Sequence, residues 1–277
     1  MTTFELGSAT AKGGFANEKA VCHKFNNWKN DNEARLWLKI MGYDLKQIDS
    51  VEAIHIPTRM KRMDLQRLNL KDTFEQLMKF KKADAQLRIT ITIGNVIKVE
   101  NLSLKKANSD ADYNQIDKRW VHAYQEMWGF SEDVALGLKL FTGEINPASY
   151  LGTVRSRTLR DERRMFLDEL PKELRQGIVD FFRKNKILVV SDILKGRGSL
   201  SANWMLVTRY DKGKDATTWI LRDINEAMNF FGFGEVEMSP RGSLHIGRIT
   251  MQRKGGTPDP TKLQFKIKPC ELFELVR

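Results

Sequence analysis

Residues 84 to 105 are the stretch of this chain with the fewest ways to fold. From Asp84 through Ala85, Gln86, Leu87, Arg88, Ile89, Thr90, Ile91 and Thr92 to Ile93, apolar residues fall on odd numbers and polar ones on even numbers. That alternation is the mark of a half-buried strand. Gly94-Asn95 supplies a turn, and a second strand runs from Val96 to Lys105, alternating again at its end. Ser103 and Lys105 then share a face. A hairpin closed at Gly94-Asn95 sets Asp84 on the polar side of the first strand, near that pair.

The charge balance says what kind of partner to expect. Lys and Arg number 46 against 35 Asp and Glu, a formal net charge of +11. A polyanion suits such a surface, and nucleic acid is the commonest, although ribosomal and membrane-surface proteins share the composition. The basic residues cluster at Arg59, Lys61 and Arg62, at Lys79, Lys81 and Lys82, from Arg155 to Arg164, and at Arg248, Arg253 and Lys254. Cys22 and Cys270 lie far apart, and His23, His55, His122 and His245 give no ligand spacing with them, so neither zinc nor a disulfide framework is expected. A metal here would be a hard, oxygen-bound ion such as Mg²⁺. No apolar run follows Met1, and none approaches the roughly 18 residues of a membrane span, so a cytoplasmic chain with no membrane partner is expected.

With 277 residues and 41% hydrophobic content the chain can bury a core as one domain, with a possible division into residues 1–145 and 146–277. Helical patterning fills the first forty residues, broken near Asn30-Asp31, with Glu18 in the first helix. The basic amphipathic segment from Pro57 to Lys82 reads as a helix beside the hairpin. Residues 114–128 read as a helix with Ile116, Trp120, Tyr124 and Met127 on one face. Residues 143–158 read as a loop, and Met165, Phe166, Leu170, Leu174, Ile178 and Phe182 as a helix continuing past Pro171. Ile187–Ile193, Trp204–Tyr210 and Trp219–Leu221 read as strands.

A carboxylate converging with a lysine is the arrangement that metal-assisted phosphodiester hydrolysis needs. The carboxylate holds a divalent cation, and the lysine orients or deprotonates a water and offsets developing negative charge. The same spacing also occurs on solvated hairpin faces, so the residues alone leave both readings open.

Further blocks narrow the choice. Glu5–Ser8 with Gly14–Lys19, Asn114–Trp120 leading into Tyr124–Trp128, Arg163–Phe166, Asp192–Gly198, Ser239–Ser243, Gln252–Gly256 and Leu263–Lys266 follow in an order that resembles the small type II restriction endonucleases of the Haemophilus GCGC-cutting kind, within the PD-(D/E)xK nuclease superfamily. The resemblance implies an α/β (α+β) fold with a restriction-endonuclease-like mixed central sheet flanked by helices. It implies Mg²⁺-dependent cleavage of double-stranded DNA at a short GC-rich site, and a cognate DNA methyltransferase as functional partner. It places the metal aspartate on Asp84 and the catalytic lysine on Lys105. Where the superfamily has Glu or Asp, and this group a glutamine, the chain has Ser103. Glu18 becomes a candidate additional carboxylate for the metal, and Ser103 keeps open the alternative of a DNA-binding protein impaired in cleavage. For DNA contact the resemblance implies Asn114, Gln115 and Lys118, with Gln115 and Lys118 one helical turn apart. It adds Arg241 and Ser243 around a Pro-Arg-Gly turn, and Gln252, Arg253, Lys254 and Lys266 for phosphates or neighbouring bases.

Overall fold

The computed structural model describes residues 16–57, 59–81, 86–107, 113–211, 216–254 and 261–276. In chain order the helices are α1 (16–26), α2 (Asn32–Ile40), α3 (Arg62–Arg67), α4 (Phe74–Phe80), α5 (Val121–Trp128), α6 (Glu132–Thr142), the short α7 (Pro147–Leu151) and α8 (Thr153–Ser156), α9 (Lys172–Lys184), α10 (Lys186–Leu194) and α11 (Ile224–Gly232). The strands are β1 (Ser50–Ile56), β2 (Gln86–Ile93), β3 (Val96–Ala107), β4 (Asn114–Arg119), β5 (Trp204–Asp211), β6 (Ala216–Asp223), β7 (Val236–Met238), β8 (Leu244–Ile246), β9 (Ile249–Arg253) and β10 (Leu263–Ile267). The described residues form two compact units interleaved along the chain. One holds those up to Asn114 with 194–228 and those from Lys268 onward; the other holds 115–193 and 229–267. Among the described residues no helix is long and apolar enough to cross a membrane.

The first unit is built on a five-stranded sheet in the order β1-β2-β3-β5-β6. β3 and β5 run parallel while the other neighbours are antiparallel, which makes this the expected mixed sheet. Ile93 pairs with Val96 across the Gly94-Asn95 turn. Leu87, Ile89 and Ile91 of β2 are buried under α1 and α2, where Phe25, Trp37, Leu38, Leu102 and Leu104 join them in one core. Burying each such side chain contributes about 1.5–3 kcal/mol. Asp31 separates the two helices by accepting from Ala34 N at 2.8 Å, an N-cap at the expected break. On the opposite face Ile56, Met60, Leu68, Leu77 and Leu200 form a smaller core. The segment from Pro57 is two short helices, α3 and α4, rather than one. Thr73 restarts the helix there by capping Gln76 N.

The second unit carries the sheet β4-β10-β9-β8-β7. It packs on a ring cluster in which Tyr124 stacks on Trp128 at 4.7 Å and both meet Phe265 edge-on.

Four stretches differ from expectation. Residues 114–119 are strand β4, and the helix begins only at Val121, because Trp120 is extended (φ −66°, ψ 153°) at its N-cap. The spacing of Ile116, Trp120 and Tyr124 therefore straddles a strand–helix junction. Ile187–Ile193 belong to helix α10 instead of a strand. Val189, Val190, Ile193 and Leu194 are buried while Ile187 and Leu188 are exposed, a helical spacing that an unbroken apolar run conceals. The helix expected from Met165 onward is a single 3-10 turn, Leu167–Glu169, and α9 starts after Pro171. Residues 143–158, expected as a loop, contain α7 and α8.

Candidate active site and nucleic-acid interface

Register decides what the β2–β3 hairpin can present. Gln86 lies directly opposite Ser103 and Arg88 opposite Asn101, so these four side chains share one face. Lys105 continues that face beyond Ser103. A short turn, Gly198–Leu200, lies over the row and supplies it with carbonyls. Gln86 Nε2 donates to Leu200 O at 2.9 Å, Arg88 to Ser199 O at 3.3 Å, and Asn101 Nδ2 to Ser199 O at 2.9 Å and Ser201 O at 3.0 Å. Asp72 fixes the turn by accepting from Ser199 N at 2.9 Å. Gly198 has φ +77°, and a Cβ there would run into the Asp72 carboxylate.

Ser103 is fully buried, and Lys105 is 2% exposed. An ammonium is costly to desolvate without compensation, and buried ones concentrate where charge is handled. The Lys105 carbonyl accepts from Thr208 Oγ1 at 3.4 Å, tying this end of β3 to β5. Asp84 lies outside the described residues. It stands two positions before Gln86 in the chain, as Lys105 stands two after Ser103.

Glu18 is not brought onto this face. Its carboxylate stands 2.5 Å from His55 Nε2, without hydrogen-bond alignment, and is 8% exposed. His55 pairs with Leu87, on the side where α1 packs. Alternation turns Ser103 and Lys105 to the other side. Glu100 also faces α2, where it accepts from Tyr43 Oη at 2.7 Å and Trp204 Nε1 at 3.0 Å. Burial, and then Glu100, raise the Tyr43 phenol pKa.

Among the described residues no three His, Cys, Asp or Glu side chains gather as a metal centre. One oxygen on the Ser103 face is nevertheless suited to a cation. Gln86 is 0% exposed and its Oε1 has no hydrogen-bond partner among the described residues. A neutral amide oxygen beside a hydroxyl is a donor set for a hard ion completed by a carboxylate, so these residues fit Mg²⁺.

In the second unit the DNA-contact candidates sort by strand face. On β9 and β10, Thr250 pairs with Lys266 and Gln252 with Gln264, so Gln252 and Lys266 share a face. Lys118 joins their neighbourhood. Its pKa is lowered by burial first and then by the charges of Lys254 and Lys262, and that of Lys266 by burial and Lys254. Lys262 adds a lysine to those expected from the sequence. Its backbone accepts from Lys254 N at 2.8 Å, and its ammonium lies 5.1 Å from the centre of the Trp120 ring. Strand β4 puts Gln115 and Lys118 on opposite faces, which removes the shared helical turn expected of them. Asn114 and Gln115 are half-buried at the start of the strand. Arg253 points to the other face of β9, where its guanidinium pairs with Asp161 at 3.2 Å. Arg241 is exposed at the tip of the β7–β8 hairpin, closed by Ser239 N to Ser243 O at 2.8 Å and Ser243 N to Ser239 Oγ at 3.0 Å. Trp128 Nε1 donates to Asp192 at 2.9 Å and Tyr124 Oη to Asp117 at 2.6 Å, so Asp192, Trp128 and Tyr124 serve the core.

The mixed sheet of the first unit, with Ser103 and the buried Lys105 on one face of its β2–β3 hairpin, has the fold of a restriction endonuclease. The chain is similar to the solved structure of the restriction endonuclease MspI in complex with its cognate DNA, with a TM-score of 0.58 and 13% identity over 96% of this chain and 93% of that one. That likeness is one of fold. No curated protein matches the sequence. The R.HinP1I restriction endonuclease family matches residues 60–273. The chain belongs to that family, and it is a type II site-specific deoxyribonuclease. The matched stretch includes Asp84, Ser103 and Lys105 and leaves Glu18 outside.

Proposed function

We propose that this enzyme hydrolyses double-stranded DNA in a Mg²⁺-dependent reaction at a short GC-rich site, GCGC or a close relative, alongside a methyltransferase that protects the host's own copies of the site. Lys105 carries the reading. It is a lysine almost wholly buried on the strand face of Ser103, at the end of the hairpin that Asp84 precedes in sequence. Asp84 and Ser103 are the residues that would hold Mg²⁺. When bound, the ion supplies a Lewis acid for a phosphoryl oxygen and a lowered pKa for a water. The Lys105 ammonium orients the attacking water and offsets charge developing on the phosphoryl oxygens. The Glu18 carboxylate is left with His55 and out of the set.

In the second unit Lys118, Lys254, Lys262 and Lys266 take phosphates, which supply affinity without sequence information. Arg241 is suited to guanine O6 and N7, a contact that discriminates by about 1–3 kcal/mol. Asn114, Gln115, Gln252 and Ser243 are offered to neighbouring base edges. MspI, the structural neighbour, was solved with its cognate DNA, which supports the DNA-bound reading.

Replacing Lys105 tests the catalytic assignment. Lys105→Ala is expected to slow cleavage by about 10²–10⁴-fold while band-shift affinity for DNA stays near wild type. A variant that cuts at the normal rate removes Lys105 from the mechanism.

A further inference from the structure

Ser103 leaves the metal position short. A serine hydroxyl reaches little beyond its own Cβ and carries no charge, so a metal ion of the proposed site would gain no second strong oxygen from Ser103. The strand across the ladder supplies one.

We infer that the side-chain oxygen of Gln86 is a further ligand of the Mg²⁺ ion, contributed from β2 directly opposite Ser103. The inference rests on the proposed metal site at Asp84, Ser103 and Lys105. Cross-strand neighbours hold their Cβ atoms about 4.5–5.5 Å apart, and a glutamine is long enough to bring its amide over a serine. The orientation of that amide follows from its bond to the turn. Its nitrogen has to face Leu200 O, to which it donates at 2.9 Å, so Oε1 is the atom turned away from the turn. Oε1 is fully buried and has no hydrogen-bond partner among the described residues. A buried amide oxygen of this kind is costly to leave unsatisfied, and a hard cation satisfies it. Asn101 also has an Oδ1 on this face without a hydrogen-bond partner among the described residues, but it pairs with Arg88 and not with Ser103. Gln86 lies at the Lys105 end of the row and Asn101 lies away from it. Asp72, Gly198 and Leu200 thus act as positioning residues that hold the Gln86 amide in one orientation.

Titration calorimetry of Mg²⁺ into the full-length protein tests this apart from cleavage. Gln86→Met, close in shape but without the oxygen, is expected to weaken Mg²⁺ binding about tenfold or more. Adding Ser103→Gln to Gln86→Met should restore most of it by delivering an amide from the facing strand. Unchanged Mg²⁺ affinity in Gln86→Met overturns the inference. Asp84→Ala separates the two levels of the argument. If it abolishes binding while Gln86→Met does not, only the Gln86 assignment falls; if neither changes binding, the metal site falls with it. Should Gln86→Met fail to fold, Gln86→Glu decides, with tighter Mg²⁺ binding expected and unchanged or weaker binding contradicting the assignment.

Discussion

A lysine crowded by other lysines loses its proton more readily than one on an open surface, and Lys118 and Lys266 are such residues. Burial is the larger cause for both, with Lys254 beside each and Lys262 beside Lys118. Phosphate binding reverses the effect by favouring the charged form. With the free-state pKa lowered, DNA binding requires proton uptake once pH exceeds that lowered value. Affinity is then flat below it and falls as pH rises toward the ordinary lysine value of about 10.4. Fluorescence anisotropy with a short duplex should show this decline in the wild type and a flatter profile in Lys118→Gln/Lys266→Gln. Equal profiles would mean the two ammonium groups do not meet phosphate. The residue scale also shows what sequence could tell. Ser103 and Lys105 were placed on one face by alternation alone, because period 2 needs only their numbers. Glu18 was not placed, since alternation along β3 says nothing of which side of the sheet a distant helix covers. Lys262 is not legible in the sequence, because its relevance depends on lying across from Lys254, a pairing that neither local sequence reveals.

The turn at Gly198–Leu200 binds three hairpin side chains through its carbonyls, and its shape depends on one glycine. At φ +77° an alanine costs about 1–2 kcal/mol in backbone conformation, before its Cβ meets the Asp72 carboxylate. Gly198→Ala should therefore lower the urea midpoint by at least that equivalent and loosen Gln86, Arg88 and Asn101 together. Wild-type stability in this variant would show that the turn is not held as described. Elements were legible where a period was uninterrupted. The hairpin, the break at Asp31 and strands β5 and β6 fell where expected. The misread elements lie where two periods abut or where none exists. Strand β4 runs into α5 at Trp120 with apolar residues still at helical spacing, and α10 opens on the unbroken apolar run Ile187-Leu188-Val189-Val190. Tertiary burial, with Val189, Val190, Ile193 and Leu194 inside, decided the second case.

The whole chain couples a +11 charge to two compact units interleaved along it. The unit built on the mixed sheet presents the hairpin with Ser103 and Lys105, while the other gathers lysines on the β9 and β10 face and exposes Arg241 at a hairpin tip. The fold class was readable because the blocks that carry the family resemblance are spread along the chain, whereas the interleaving of the units depends on crossovers that leave no composition shift. Membership of the R.HinP1I restriction endonuclease family implies site-specific cleavage, and the central claim is that a hairpin with Ser103 in place of Glu, Asp or Gln still cuts. Unmethylated plasmid incubated with Mg²⁺, and in parallel with EDTA, followed by end-sequencing of the products, addresses that claim directly. The account predicts discrete fragments in Mg²⁺ whose ends share one GC-rich sequence, with the plasmid intact in EDTA. Plasmid that stays intact in Mg²⁺, or ends without a common sequence, would contradict it.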